Sequence, residues 1–191
     1  MVSGRTPRPP GGSGSPRGEG VPAGEGTAAA IRPGPAPTRL LLAAPAWRAI
    51  LRHGEETYPE ECCGVLLGPA AAAAGAGAAG PPGAKICREA VPLTNERVDS
   101  ARNRFRVSGA ELERVTREAA GRGLDVLGFY HSHPDHPARP SAYDLEHATW
   151  PWYSFLIVSV ENGRAGEMTS WTLSEDRAAY LPEPIDPPLE G

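Results

Sequence analysis

The sequence lacks a positive surface field and a cysteine framework. Lysine and arginine together number 19 against 23 acidic residues, the net charge is -4, and Lys85 is the only lysine. Because no basic cluster stands out, we expect no nucleic-acid partner. The three cysteines, Cys62, Cys63 and Cys87, show no CxxC spacing. This pattern indicates neither a disulfide framework nor a thiolate zinc site, and it fits a reducing compartment.

Long apolar segments are missing as well. A membrane-spanning helix needs about 18 consecutive apolar residues, and no such run occurs. The N-terminal part contains arginines but no apolar stretch of signal-peptide length. The sequence therefore predicts a soluble, cytoplasmic protein without a membrane partner.

The 191 residues are enough for one domain with a full hydrophobic core. Residues 1–38 contain 9 glycines and 8 prolines with hardly any large apolar side chains. Such a segment buries too little surface to offset its ordering entropy, which predicts a disordered tail. We expect one folded domain over 39–180, with a flexible Ala- and Gly-rich insertion at 69–84, and an irregular Pro-rich tail at 181–191.

Apolar runs and helical spacings alternate along the folded part. Strands are predicted at 39–44, 62–67, 85–92, 103–107, 125–131, 153–160 and 167–173. Helices are predicted from Pro45, from Ser108 and from Ser141. Ser108 and Glu111 have the spacing of a capping box, and Asn162-Gly163 is typical of a hairpin turn. Strands separated by helices predict a single-domain α/β fold in which helices sandwich a mixed sheet.

The most informative stretch runs from His131 to Asp144. His131 and His133, two apart on a predicted strand, point to one face and can offer imidazole nitrogens to one metal ion. Asp144 falls in the first turn of the helix predicted from Ser141, where its carboxylate can return as a third ligand. Three nitrogen and oxygen ligands with an open fourth position are typical of catalytic zinc. The pattern predicts one Zn²⁺ per chain.

Amide hydrolysis also needs a group that takes a proton from water and delivers it to the leaving amine. Three motifs supply a complete set: Glu-x-Cys-Gly, beginning at Glu61 before an apolar strand, His-Ser-His-Pro from His131, and Ser-x-x-Asp from Ser141. Together they resemble the JAMM (MPN+) zinc metallopeptidases over the region 39–180. The resemblance implies the JAB (MPN) fold, which is similar to that of cytidine deaminases.

The resemblance also implies a role for each motif residue. Glu61 corresponds to the general base and acid, whereas the neighbouring Glu60 does not match. Ser141 corresponds to the serine that helps to stabilise the tetrahedral oxyanion. The zinc ligands correspond to His131, His133 and Asp144.

The substrate class is implied by the same resemblance. Family members hydrolyse amide or isopeptide bonds at the C-terminal glycine of ubiquitin or ubiquitin-like proteins, and bacterial members are associated with ubiquitin-like sulfur-carrier proteins. Eukaryotic deubiquitinating members carry a substantial insertion after the metal-binding aspartate, whereas here only residues 145–152 separate Asp144 from the next predicted strand. The chain therefore resembles the compact bacterial type. Its oligomeric state is left open.

Two other interpretations of the motif region remain. The chain could be a non-catalytic MPN-type interaction scaffold, as family members without the metal ligands are. Zinc could instead be purely structural, which predicts a fourth protein ligand and unfolding on chelation.

Other residues with chemistry of their own are given no role. His136 is expected to face solvent, and His53 and His147 to be structural or exposed. Cys62 and Cys63 are expected to be small buried hydrophobes rather than nucleophiles. Three aromatic residues are expected to lie in the core rather than to line a groove: Trp150, Trp152 and Tyr153.

Overall fold

A mixed β-sheet with helices on both faces forms the centre of the protein. The structure, a computed structural model, describes residues 39–69, 84–96, 107–186 and 188. The strands are β1 (Arg39–Leu42), β2 (Cys63–Pro69), β3 (Ala84–Cys87), β4 (Glu89–Leu93), β5 (Leu124–Pro134), β6 (Ser154–Glu161), β7 (Arg164–Leu173), β8 (Tyr180–Glu183) and β9 (Ile185–Asp186). The helices are α1 (Ala44–Thr57), α2 (Gly109–Ala120) and α3 (Ala142–His147).

The described residues form a main sheet of six strands in the order β4-β2-β5-β6-β7-β8. Strands β5 and β6 run parallel, and the other neighbours run antiparallel. A smaller parallel sheet has the order β3-β1-β9. The predicted fold class, a mixed α/β sheet sandwiched by helices, is confirmed.

Strand β2 is buried on both faces, which explains its uninterrupted apolar sequence. Side chains alternate along a strand, so successive residues face opposite layers. Leu66 packs in one cluster with Ile50 of α1. Val65 packs in a second cluster with Val115 of α2. The two helices therefore cover opposite faces of β2 and β5.

Two predicted local features are wrong. The predicted strand at 85–92 is two strands that separate at Arg88, since β3 joins the small sheet and β4 the main one. Ser108 is the N-cap of α2 but makes no side-chain capping bond. The capping box does not form because the Glu111 carboxylate accepts hydrogen bonds from the backbone N and Oγ1 of Thr94, at 3.0 and 3.3 Å.

The irregular tail predicted at 181–191 is wrong over 181–186, because residues 181–183 continue β8 and residues 185–186 form β9. Residues 187 and 189–191 lie outside the described residues. Strand β8 is an edge strand, where a proline is tolerated because no further strand needs its missing N–H. Pro182 accordingly pairs with Trp171 of β7.

Some sequence predictions fall outside the described residues. These are the tail at 1–38, residues 70–83 of the insertion and residues 103–106 of the predicted strand at 103–107. Within the described ranges, every helix is too short or too polar to span a bilayer.

Candidate metal centre

Strand β5 carries both motif histidines. It extends to Pro134, so His131 and His133 lie on the strand itself and share a face. Their Nε2 atoms are 3.0 Å apart, and the residues are 4% and 8% exposed. Two imidazole nitrogens therefore converge on one buried point, as the spacing predicts.

Helix α3 brings Asp144 to the same point through a capping box. The Asp144 backbone N donates to Ser141 Oγ at 3.1 Å, and the Ser141 backbone N donates to Asp144 Oδ2 at 2.6 Å. Asp144 Oδ1 lies 3.4 Å from His131 Nε2, and Oδ2 lies 3.6 Å from His133 Nε2. One ligand atom from each of these three residues lies within 4.8 Å of the other two.

The hydrogen bonding of His133 fits a metal ligand. Its Nδ1 lies 3.0 Å from the Pro137 carbonyl oxygen, which can only accept a hydrogen bond. Nδ1 therefore carries a hydrogen, so that the Nε2 lone pair points at the cluster when the ring is neutral. In the metal-free protein the hydrogen bonds to Asp144 and to the Pro137 carbonyl outweigh burial and raise the pKa of His133. Among the described residues no fourth His, Cys, Asp or Glu joins the group. The donor set fits a zinc site with an open position better than a closed structural site.

Glu61 reaches this centre through the register of β2 and β5. Cys63, the first residue of β2, pairs with His131, so the chain two residues before it comes alongside His133 on the same face. Glu61 is 5% exposed, whereas Glu60 is exposed. Asn95 Nδ2 donates to the Glu61 carbonyl at 3.2 Å. The structure thus places the predicted acid–base residue beside the predicted ligands.

The serine and glycine of the motifs join the two strands closely. The Cys62 backbone N donates to Ser132 Oγ at 2.8 Å, and the Ser132 backbone N donates to the Cys62 carbonyl at 3.1 Å. Tyr130 lies across Gly64, where an added Cβ would stand 2.3 to 2.5 Å from atoms of the Tyr130 side chain. The Tyr130 hydroxyl is held 2.9 Å from His53 Nδ1, which gives His53 a structural role.

Burial, hydrogen bonds and neighbouring charges together set the protonation of the centre. Burial is the main cause that raises the pKa of Glu61 to about 8, with His133 opposing the shift and Asp144 adding to it. Burial also lowers the pKa of His131 to about 4, against the attraction of Asp144. For Asp144, burial raises the pKa, but hydrogen bonds from His133 and Ser141 and the charge of His131 hold it well below its usual range.

These shifts suit the predicted roles. At neutral pH the low pKa of His131 leaves its ring neutral, and Asp144 is ionised, as metal ligands must be. A carboxyl group with a raised pKa, such as Glu61, can both accept and return a proton near neutral pH.

The residues without a predicted role behave mostly as expected. His136 and His147 are exposed. Burial raises the pKa of the Cys62 thiol to about 11 and that of Cys63 to about 12, which keeps both thiols protonated and unreactive.

The core assignment of Trp150 is wrong. Its side chain is 43% exposed. Helix α3 ends at His147, and Trp150 then stacks on Phe129 with ring centroids 5.3 Å apart. Phe129 lies two residues before His131 in β5, so this pair borders the face that carries the metal centre.

Asp135 is a supporting residue that the sequence analysis missed. Its backbone is left-handed, with φ of 56°, a conformation that Asp tolerates better than most residues. Its carboxylate accepts hydrogen bonds from the Tyr58 hydroxyl and the Asn162 backbone N, both at 3.0 Å. These bonds fix the loop that follows His133. The Pro-Asp dipeptide within the motif was the available signal.

The comparison with known proteins agrees with this geometry. A family model described as prokaryotic homologs of the JAB domain matches residues 43–174, a span that contains every residue of the centre. The chain belongs to this prokaryotic JAB-domain family. The predicted resemblance to the JAMM/MPN+ group and the JAB fold are confirmed.

Individual relatives share most of their length with this JAB-domain protein. A desampylase of Haloferax volcanii is 36% identical over 146 residues, covering 73% of this chain and 93% of the relative. A CysO-cysteine peptidase of Mycobacterium tuberculosis is 26% identical over 147 residues, covering 77% of this chain and 90% of the relative. These relatives confirm the prediction of an enzyme of the JAMM hydrolase type.

A solved structure shares the fold. The solution structure of a Desulfitobacterium hafniense protein superposes with a TM-score of 0.63 at 27% identity, covering 77% of this chain and 91% of that one.

Proposed function

We propose that this JAB-domain protein is a zinc-dependent peptidase that hydrolyses an amide or isopeptide bond after the C-terminal glycine of a ubiquitin-like or sulfur-carrier protein. The observation that carries the proposal is the convergence of His131, His133 and Asp144 within 4.8 Å, beside the buried Glu61. The names of two relatives, a desampylase and a CysO-cysteine peptidase, support a peptidase and a carrier protein as its substrate.

His131, His133 and Asp144 would hold the zinc ion. Bound there, zinc would supply Lewis acidity and lower the pKa of water to about 7. His133 is oriented for this role by the Pro137 carbonyl, and Asp144 by the N-terminus of α3.

Glu61 moves the protons. Its carboxylate accepts a proton from the attacking water and then donates that proton to the leaving nitrogen. Burial, which is the main cause of its raised pKa, makes the carboxylate a stronger base than an exposed one. The bond from Asn95 to the Glu61 carbonyl fixes the backbone from which the side chain extends.

Ser141 has two roles in this proposal. In the resting enzyme its hydroxyl donates to Asp144 Oδ2 at 2.6 Å and accepts from the Asp144 backbone N at 3.1 Å, which orients the carboxylate. To stabilise the oxyanion, the hydroxyl must turn from Asp144 Oδ2 towards the substrate. That motion is a rotation of the Ser141 side chain. Asp144 Oδ2 stays in place during it, because the backbone N of Ser141 also donates to Oδ2.

The test is mass spectrometry of a ubiquitin-like sulfur-carrier protein that extends beyond its terminal Gly-Gly. The zinc-loaded enzyme is expected to release a carrier that ends at the last glycine, and a chelator should stop the reaction without unfolding the protein. No cleavage by a sample that contains one zinc per chain would contradict the proposal and favour the non-catalytic scaffold.

A further inference from the structure

Helix α3 carries the proposed metal ligand Asp144, but so short a helix contributes little stability of its own. It comprises six residues, none of them buried. A helix this short is not stable by itself, because isolated helices below about 12 residues are marginal in water. The position of Asp144 therefore depends on contacts that α3 receives from other elements.

Two of these contacts come from the segment that follows β7. The Tyr180 hydroxyl donates to the Asp144 carbonyl oxygen at 3.3 Å. Arg177 Nη2 donates to the carbonyl oxygen of Ala148, the C-cap of α3, at 3.2 Å. A positive guanidinium at this end also complements the partial negative charge of the helix terminus. One hydrogen bond thus acts on the ligand residue itself and the other on the end of its helix.

Two hydrogen bonds join helix α3 to the segment after β7 at this point. A cleft of about 550 Å³ lies between α3 and the turn that carries Arg177. It is lined by Ala142, Leu145, Glu146, Ala148, Asp176 and Arg177. Removing one donor would therefore loosen α3 without opening a cavity in the hydrophobic core.

The segment that supplies these donors is itself well fixed. Ser174 Oγ accepts from the backbone N of Ala178 and Ala179, at 3.1 and 3.0 Å, and so closes the turn. Arg177 sits in this turn with a left-handed φ of 60°. The Tyr180 ring packs edge-on against Phe155 of β6, with centroids 5.2 Å apart.

A buried polar network anchors β8 beyond Tyr180. Glu183 is 5% exposed and accepts a hydrogen bond from Ser170 Oγ at 2.5 Å. The only lysine of the chain, Lys85, lies 3.4 Å from Glu183 and donates to Ser154 Oγ at 2.8 Å. These contacts hold the C-terminal segment against β3, β6 and β7. A segment fixed in this way can in turn restrict the movement of α3.

We propose that residues 174–186 form a brace that sets the position of Asp144, with Arg177 and Tyr180 as positioning residues for the metal centre. This proposal depends on the proposed function, because it takes Asp144 to be a zinc ligand. The family model ends at residue 174, so both donors lie beyond the span that this chain shares with it.

The test compares the double variant Arg177→Met/Tyr180→Phe with wild type. Arg177→Met keeps an unbranched side chain but removes the guanidinium with its charge, and Tyr180→Phe removes only the hydroxyl. Loss of groups that orient a metal ligand weakens metal binding about 10- to 100-fold, and we expect at least a tenfold rise in the zinc Kd, measured by competition with a chromogenic chelator. At saturating zinc we expect a lower kcat with an unchanged KM. The melting temperature of the zinc-free protein should stay within about 2 °C of wild type, since Arg177 is exposed and Tyr180→Phe keeps the ring that packs against Phe155.

Two further variants separate positioning from general damage. Arg177→Lys keeps a donor and, combined with native Tyr180, should retain most of the zinc affinity. Arg164→Met removes an exposed arginine at the other end of β7 and should change nothing. A zinc Kd of the double variant within twofold of wild type would overturn the brace. Zinc affinity is measured without substrate. Wild-type enzyme that binds zinc but cleaves no carrier would therefore contradict the proposed function and not the brace.

Discussion

Ionisation of Glu61 should destabilise the zinc-free protein as the pH rises from 6.5 to 8. The pKa of this carboxyl is about 8 in the folded protein, against an ordinary value of 4.5 for an exposed glutamate. Between these two values the folded state holds a proton that the unfolded state has lost. The free energy of unfolding therefore falls as the pH rises through this window.

The magnitude follows from the two pKa values. Integrating the proton difference from pH 6.5 to 8 gives a loss of about 2 kcal/mol from Glu61. His131 acts in the opposite direction mainly below pH 6.5, because burial lowers its pKa. The pKa of His133 is raised, since Asp144 and the Pro137 carbonyl outweigh its burial, so it adds to the loss. For a domain of this size the loss from Glu61 corresponds to a fall of about 4 to 8 °C in Tm.

Thermal melts of chelator-treated protein at pH 6.5 and pH 8 measure this effect. Glu61→Gln is the matched control, because an amide of the same shape cannot ionise. We expect the wild-type Tm to fall between the two pH values and the variant to lose most of that fall. The variant should also be the more stable protein at pH 8. An identical pH dependence in both proteins would refute the idea that a buried Glu61 holds its proton in the zinc-free fold.

Two further predictions concern the supports of the centre. Gly64→Ala should lower the free energy of unfolding by about 1 to 3 kcal/mol, measured by urea titration, because its Cβ would collide with the Tyr130 ring; stability equal to wild type would contradict the tight contact. Ser141→Ala should weaken zinc binding about tenfold in a competition titration, since it removes both hydroxyl bonds to Asp144; an unchanged Kd would show that the backbone bond alone orients the carboxylate.

Much of the site could be predicted because its geometry is local. The period of a β-strand places His131 and His133 on one face, and a capping box places Asp144 over the helix N-terminus. The position of Glu61 could not be derived from spacing, because it depends on the register between β2 and β5, which are far apart in sequence. The family resemblance supplied that residue.

The two capping-box patterns show the limit of local reasoning. Both Ser108-x-x-Glu111 and Ser141-x-x-Asp144 have the required spacing, but only the second forms. Thr94, which is distant in sequence, donates a hydrogen bond to the Glu111 carboxylate instead. The residues around Ser108 do not predict that Thr94 donates to this carboxylate.

The C-terminal segment was predicted to be irregular for a related reason. A high proline content argues against a central strand but not against an edge strand, and local sequence does not say which one is present. The burial of Glu183 depends on Lys85, which lies in a different sheet. Contacts between residues that are distant in sequence therefore determine both the formation of β8 and its connection to the metal centre.

The most direct test of the central claim is the turnover of Glu61→Gln on the extended carrier protein, with its zinc content matched to wild type. The account predicts one bound zinc per chain and a rate lowered at least about 100-fold, because the group that moves the protons is gone while the ligands remain. Near wild-type turnover by this zinc-loaded variant would contradict the assignment of Glu61 and, with it, the proposed mechanism.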